Sequence, residues 1–114
     1  MRADDATRLR HMIEAAEAAS QLVAGRHRGD LDADLALRLA LARAIEIIGE
    51  AASRVSADLR SATPSIPWKS IVSTRNRLVH ACFDIDLDFL WETAIHELPP
   101  LLLSLQLLPL EDRD

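Results

Sequence analysis

The chain has 114 residues, with 13 Lys and Arg against 18 Asp and Glu, a formal net charge of -5 and 49% hydrophobic residues. These values fit one globular domain over residues 1–114 and exclude a disordered chain. No apolar run approaches the roughly 18 residues of a membrane span, and Met1 is followed by charged residues without the apolar core of a signal peptide. We therefore expect a cytoplasmic protein.

The remaining composition bears on cofactors and fold. Cys82 is the single cysteine, and the four histidines show no zinc-binding spacing, so we expect no disulfide, metal site or other cofactor. Leu occurs 19 times and Ala 18 times, whereas Gly occurs 3 times and Tyr is absent. This usage favours an all-α fold.

Two long helices are predicted in the first half of the chain. The first ends near Gly25 and Gly29, and its apolar residues recur every three or four positions: Leu9, Met12, Ile13, Ala16, Ala19, Leu22 and Val23. The second begins behind Asp30 or Asp32 as N-cap and carries two adjacent apolar stripes that continue to Val55 and Leu59. So wide an apolar face predicts a central helix packed on more than one neighbour.

Prolines divide the second half. Pro64 and Pro67 end the second helix, so a third helix should start at Pro67 or Trp68. A fourth follows the aspartates of positions 84–88, which suit a first helical turn, and it should kink or restart at Pro99-Pro100. The expected architecture is a small four-helix bundle. Trp68 and Trp91 fall at core spacing, which favours packing over base stacking.

The charge is unevenly distributed along the chain. Between Asp58 and Asp84 there is no acidic residue, while Arg60, Lys69, Arg75, Arg77 and His80 lie there. Such a segment can present a local anion site on an acidic protein, or it is a chance gap on a solvated face. Twelve of the 13 basic residues are Arg, which reflects either phosphate binding or genomic base composition.

Arg75 is the anomaly of the third helix. At about 100° per residue it lies near the centre of the apolar stripe formed by Trp68, Ile71, Val79 and Cys82. A guanidinium there must meet a carboxylate or carbonyl inside the bundle, face another chain or a ligand, or extend its stem across apolar surface to water.

Asn76 and His80 are i and i+4 neighbours on a polar face of the same helix, beside Ser73 and Arg77. A lone histidine there is usually an ordinary surface residue. An imidazole beside an amide and guanidinium groups can also transfer a proton while the cations hold a phosphate.

These residues carry a resemblance. The run Arg75-Asn76-Arg77-Leu78-Val79-His80, followed by Phe83-Asp84-Ile85-Asp86, resembles the Arg, four residues, His motif of the HepT-like toxins in the HEPN superfamily of helical ribonucleases. The likeness extends over most of the chain, through residues 8–12, 47–52, 66–68 and 98–101.

The resemblance implies a homodimer that acts as a metal-independent endoribonuclease at a composite cleft, and a cognate antitoxin of the minimal nucleotidyltransferase type. Arg75 would bind the scissile phosphate, His80 would transfer the proton for attack by the ribose 2'-hydroxyl, and Asn76 and Arg77 would support them. Five residues separate Arg75 from His80 by roughly 140° around an ideal helix, too far for one shallow pocket. Pairing two chains relieves that constraint.

Cys82 departs from the family pattern, which places at this position the Tyr that the partner adenylylates. Cys82 is either a small buried hydrophobe or a reactive thiol. Three hypotheses therefore stand: a ribonuclease toxin, a catalytically silent helical module that binds a nucleotidyltransferase, and a structural helical dimer.

Overall fold

The computed structural model describes residues 1–80 and 86–110, and for Val79 and His80 it describes the backbone alone. The described residues contain helices and no strand, which confirms the all-α prediction. The helices are α1 (Ala3–Val23), α2 (Asp30–Ala33), α3 (Leu35–Ser53), α4 (Ala57–Ala62), α5 (Trp68–His80), α6 (Leu87–Glu92) and α7 (Leu98–Gln106), with a π-helical segment, Thr93–Glu97, between the last two.

The core lies between α1, α3, α5 and the segment from α6 to α7. Helix α3 packs against both α1 and α5, as its two apolar stripes predict. The side chains that are almost fully buried come from all parts of this assembly: Leu9, Met12, Leu31, Leu41, Ile48, Leu90 and Leu105. The small helical bundle is confirmed, with α2 and α4 as short additions to its four main helical segments. None of the described helices is long and apolar enough to cross a bilayer.

The second predicted helix differs from the structure at both ends. The N-cap of α3 is Asp34, whose carboxylate accepts a hydrogen bond from the Leu37 N–H at 3.1 Å, whereas Asp30 begins the separate short helix α2. At the other end α3 stops at Ser53, before the predicted Val55 and Leu59. Helix α4 then starts behind a new N-cap, because the Ser56 hydroxyl accepts the Leu59 N–H at 3.2 Å.

A buried carboxylate fixes this second break. Asp5 is 4% exposed, and it accepts hydrogen bonds from the Ser56 N–H at 2.9 Å and from the Ser56 hydroxyl at 2.6 Å. The start of α1 is thereby joined to the start of α4. A buried carboxylate that receives two donors is compensated for much of its lost hydration.

The fourth predicted helix is interrupted where its prolines require it. Pro99 and Pro100 lie in the first turn of α7 and have no N–H to give to the carbonyls of Ile95 and His96. The chain adopts a π turn over Thr93–Glu97, with the Leu98 N–H donating to the Thr93 carbonyl. The predicted irregularity therefore occurs immediately before the proline pair.

Candidate active site

Helix α5 starts where the proline pattern predicts. The Ile71 N–H donates to the Pro67 carbonyl at 3.0 Å, so Pro67 precedes the first helical turn. Trp68 is 6% exposed, and its indole N–H donates to the Thr63 hydroxyl at 3.0 Å. Trp68 is thus a packing residue that anchors α5, as predicted, and its ring has little surface for stacking on a base.

The closest approach of α5 to α3 occurs at Gly49. A Cβ atom placed on Gly49 would overlap the Cβ of Arg75 and would lie 2.9 Å from its Cγ. The absence of a side chain on α3 therefore creates the space that the stem of Arg75 occupies. Sequence reasoning did not identify this role, although an isolated glycine inside a helical pattern is a signal of such close packing.

The guanidinium of Arg75 is left with few partners. The residue is half-buried, its Nη1 donates to the Asn76 side-chain oxygen at 3.3 Å, and its buried Nε–H makes no hydrogen bond. Among the described residues no carboxylate pairs with it, so an ion pair inside the bundle is excluded there. The stem crosses the apolar α3–α5 contact and the head reaches exposed Asn76, which leaves a positive charge available for a ligand or a second chain.

Arg77 has the opposite environment. Its Nη2 lies 3.0 Å from the Asp86 carboxylate, and its guanidinium lies 3.7 Å from the centroid of the Phe89 ring. Asp86 is also the N-cap of α6 and accepts the Phe89 N–H at 3.0 Å. That backbone hydrogen bond, aided by the nearby Arg77 charge, lowers the pKa of Asp86. The structure thus engages Arg77 in joining α5 to α6.

The remaining predicted residues are placed as follows. His80 is the last residue of α5, so the helical backbone continues without a break from Arg75 to His80. Cys82 lies outside the described residues, as does Asp84 of the predicted first turn of the fourth helix. The structure therefore brings Arg75 and Asn76 into contact and directs Arg77 towards Asp86.

A cavity of about 270 Å³ lies on another side of α5, between α3 and the segment from α6 to α7. Its lining combines apolar residues such as Ile48 and Phe89 with the hydroxyls of Ser70 and Thr74 and with two carboxylates, Glu92 and Glu97. These carboxylates would repel a phosphate, which argues against this cavity as the position of a nucleic-acid backbone. In the described part of the chain, no group of three His, Cys, Asp or Glu side chains is arranged to hold a metal ion.

Comparison with known proteins gives a consistent family. Residues 12–108 match the model of the Ribonuclease HepT-like family. A protein of Caldanaerobacter subterraneus subsp. tengcongensis, named as a candidate RNase, is 33% identical over 93 residues, which cover 82% of this chain and 83% of that relative. No solved structure matches the chain significantly.

Two further relatives share shorter regions. A probable ribonuclease HepT of Thermococcus cleftensis is 38% identical over 72 residues, which cover 63% of this chain and 66% of the relative. A candidate RNase of Methanocaldococcus jannaschii is 43% identical over 63 residues, which cover 55% of this chain and 58% of the relative. The match spans less than two thirds of each of these two proteins. With the family model covering most of its length, this chain belongs to the HepT-like ribonuclease family.

Proposed function

We propose that the protein is a metal-independent endoribonuclease, with Arg75 as the phosphate-binding residue and His80 as the proton-transfer residue. The observation that carries this proposal is the state of the Arg75 guanidinium, which is fixed over Gly49 and is not neutralised by any described carboxylate. A cation held in this way, without an internal counter-charge, is suited to bind the phosphate of RNA. The family membership and the names of the relatives support the same activity.

The proposed reaction is an internal phosphoryl transfer. His80 accepts the proton of the ribose 2'-hydroxyl as its oxygen attacks the adjacent phosphorus. The bond from phosphorus to the 5'-oxygen then breaks, and that oxygen takes up a proton, giving a 2',3'-cyclic phosphate and a 5'-hydroxyl. Arg75 stabilises the negative charge that develops on the phosphoryl oxygens.

We further propose that two chains form the active site together. Along α5, His80 lies about 7.5 Å beyond Arg75 and roughly 140° around the helix axis. In a two-fold dimer, Arg75 of one chain can approach a phosphate held near His80 of the other. Light scattering should therefore give a dimer at micromolar concentration, and a clean monomer would contradict the composite site while leaving the fold unchanged.

The activity is tested with purified protein and single-stranded RNA in the presence of a chelator. Wild type should cleave the RNA and leave 2',3'-cyclic phosphate ends, which mass spectrometry of the products identifies. His80→Ala should abolish cleavage, while its circular dichroism spectrum remains that of the folded wild type. A strict requirement for a divalent ion would overturn the acid-base assignment, and a folded wild type without any cleavage would favour the catalytically silent interaction module.

The biological context that we propose is a toxin neutralised by a minimal nucleotidyltransferase antitoxin. Because Cys82 stands where the family pattern has Tyr, and because a thiol in apolar surroundings holds little thiolate, we expect neutralisation by occlusion of the Arg75 and His80 site or by modification of Ser73 or Thr74. Intact-mass spectrometry after co-expression with the antitoxin tests this. An adenylate mapped to Cys82 would show the expectation to be wrong.

A further inference from the structure

A second arginine resembles Arg75 in its hydrogen bonding. Among the residues that the structure describes, two buried side-chain polar atoms have no hydrogen-bond partner, Nε of Arg75 and Nε of Arg60. Arg60 is held by one bond, from its Nη2 to the Ala52 carbonyl at 2.7 Å. Unsatisfied buried polar atoms are uncommon and call for an explanation, and here both belong to cations beside α5.

Arg60 lines a groove between α4 and α5. We call it the Arg60–Lys69 groove; its other lining residues are Ser53, Val72 and Ser73. Two cations and two hydroxyls face this groove, and none of its lining residues is acidic. Guanidinium, ammonium and hydroxyl groups are the donors that bind phosphate oxygens in proteins.

The carboxylates closest in sequence to the groove residues are already engaged. Asp58 lies 3.3 Å from Arg2, and Glu50 lies 3.8 Å from Arg43 and 4.0 Å from Arg54. No ion pair is formed by Arg60 or Lys69 within the described residues, so their charges are not neutralised by the protein. The acid-free segment of the sequence thus becomes a local positive surface on a chain of net charge -5.

The groove is continuous with the candidate active site. Lys69, Ser73, Asn76 and His80 are spaced by four, three and four residues, so these positions follow one line along α5. Ser73 precedes His80 by seven residues, which is about 10 Å along the helix, and Lys69 precedes it by about 16 Å. A phosphate in the groove is therefore not the scissile one but a neighbour on the same strand.

We infer that the Arg60–Lys69 groove is a binding subsite for a backbone phosphate of the RNA that flanks the scissile phosphate. This inference rests on the proposed ribonuclease function. The RNA strand follows α5 from its C-terminal end towards Lys69, and the groove binds it without reading its bases.

The test measures RNA affinity as a function of salt. Fluorescence anisotropy of a labelled single-stranded RNA is recorded in the His80→Ala background, so that the RNA stays intact. Each lost phosphate contact on a single strand lowers the slope of log affinity against log salt by about 0.7. The Arg60→Gln/Lys69→Gln double variant should therefore lose about 1.4 from the slope and bind about 25-fold more weakly at about 0.1 M salt.

Two further variants make the result specific. Arg26→Gln removes a charge of the same sign from an arginine that pairs with Asp34 at 3.7 Å, near the start of α3, and should leave the slope unchanged. Lys69→Gln alone changes an exposed side chain and should lower the slope by about 0.7, so this variant decides the question if the double variant fails to fold.

The outcomes separate the subsite from the catalytic proposal. An unchanged slope in the double variant overturns the subsite, and wild-type cleavage that still depends on His80 leaves the ribonuclease proposal intact. A lowered slope in a protein that never cleaves RNA supports the subsite and overturns the ribonuclease. Weaker binding of the antitoxin without any change in RNA binding would assign the groove to the protein partner and overturn the inference.

Discussion

Two sides of α5 handle a positive charge in opposite ways. Arg77 is paired with Asp86 at 3.0 Å and lies over the Phe89 ring, so the protein itself uses this charge to join two helices. Arg75, two residues earlier, receives one hydrogen-bond acceptor from Asn76 and keeps a buried Nε–H without a partner. Since an isolated buried charge is costly, an arginine that the fold leaves unneutralised is the better candidate for ligand binding.

The largest expected effect is the difference in cleavage rate between Arg75→Ala and Arg77→Ala. Arg75→Ala removes the group that stabilises transition-state charge and should lower the rate by roughly 10²–10³-fold or more. Arg77→Ala should lower it less than about tenfold, through weaker attraction of phosphate. Initial rates on one RNA, with melting temperatures to confirm folding, measure both. Equal losses in two folded variants would show that the difference in pairing does not predict function.

The helix contact beneath Arg75 gives the second prediction. Gly49→Ala places a methyl group on the Cβ of Arg75 and should destabilise the protein by roughly 1–3 kcal/mol, against a gain of about 1 kcal/mol in helix propensity. Because the overlap involves Cβ, Arg75→Ala should not relieve it, whereas Arg75→Gly should. Urea unfolding of the single and double variants measures this coupling.

Gly29 provides the control, since a Cβ there meets nothing within 4 Å. Gly29→Ala should leave the free energy of unfolding nearly unchanged. If Gly49→Ala were equally harmless, α3 and α5 would have room to separate, and the fixed position of the Arg75 stem would be wrong.

The sequence predicted these two regions unequally because they depend on different ranges of interaction. Pro67 and the pair Pro99-Pro100 act on their own backbone, so the start of α5 and the irregular fourth helix could be placed from residues alone. The start of α3 could not, because Asp30, Asp32 and Asp34 offer the same capping chemistry within five positions, and neighbouring helices determine which is used.

The candidate site shows the same limit. The helical period placed Arg75 on an apolar stripe, but its partner Gly49 is 26 positions away in the sequence and is recognisable only when α3 and α5 are packed. Asp86 was expected in a first helical turn, and the structure confirms this as its N-cap position. Its pairing with Arg77 depends on how the chain returns after α5, which no local pattern specifies.

The smallest expected effect concerns acid stability at the Arg77 side. The pKa of Asp86 lies below its ordinary value of 3.8, chiefly because its carboxylate accepts the Phe89 N–H. A carboxyl group with a lowered pKa in the folded state stabilises the protein above the unfolded pKa, and this contribution is lost as the pH falls through the folded value. Asp86→Asn should therefore flatten the dependence of unfolding free energy on pH below about pH 4.

Arg77→Gln separates the two causes of that shift. It removes the nearby charge but retains the Phe89 N–H bond, so the variant should keep most of the wild-type acid dependence. Urea unfolding from pH 3 to pH 6, roughly the range around the ordinary carboxyl pKa, measures both variants. If Arg77→Gln flattened the profile as much as Asp86→Asn, the ion pair would outweigh the helix cap, and Arg77 would be bound more firmly to Asp86 than its exposed position implies.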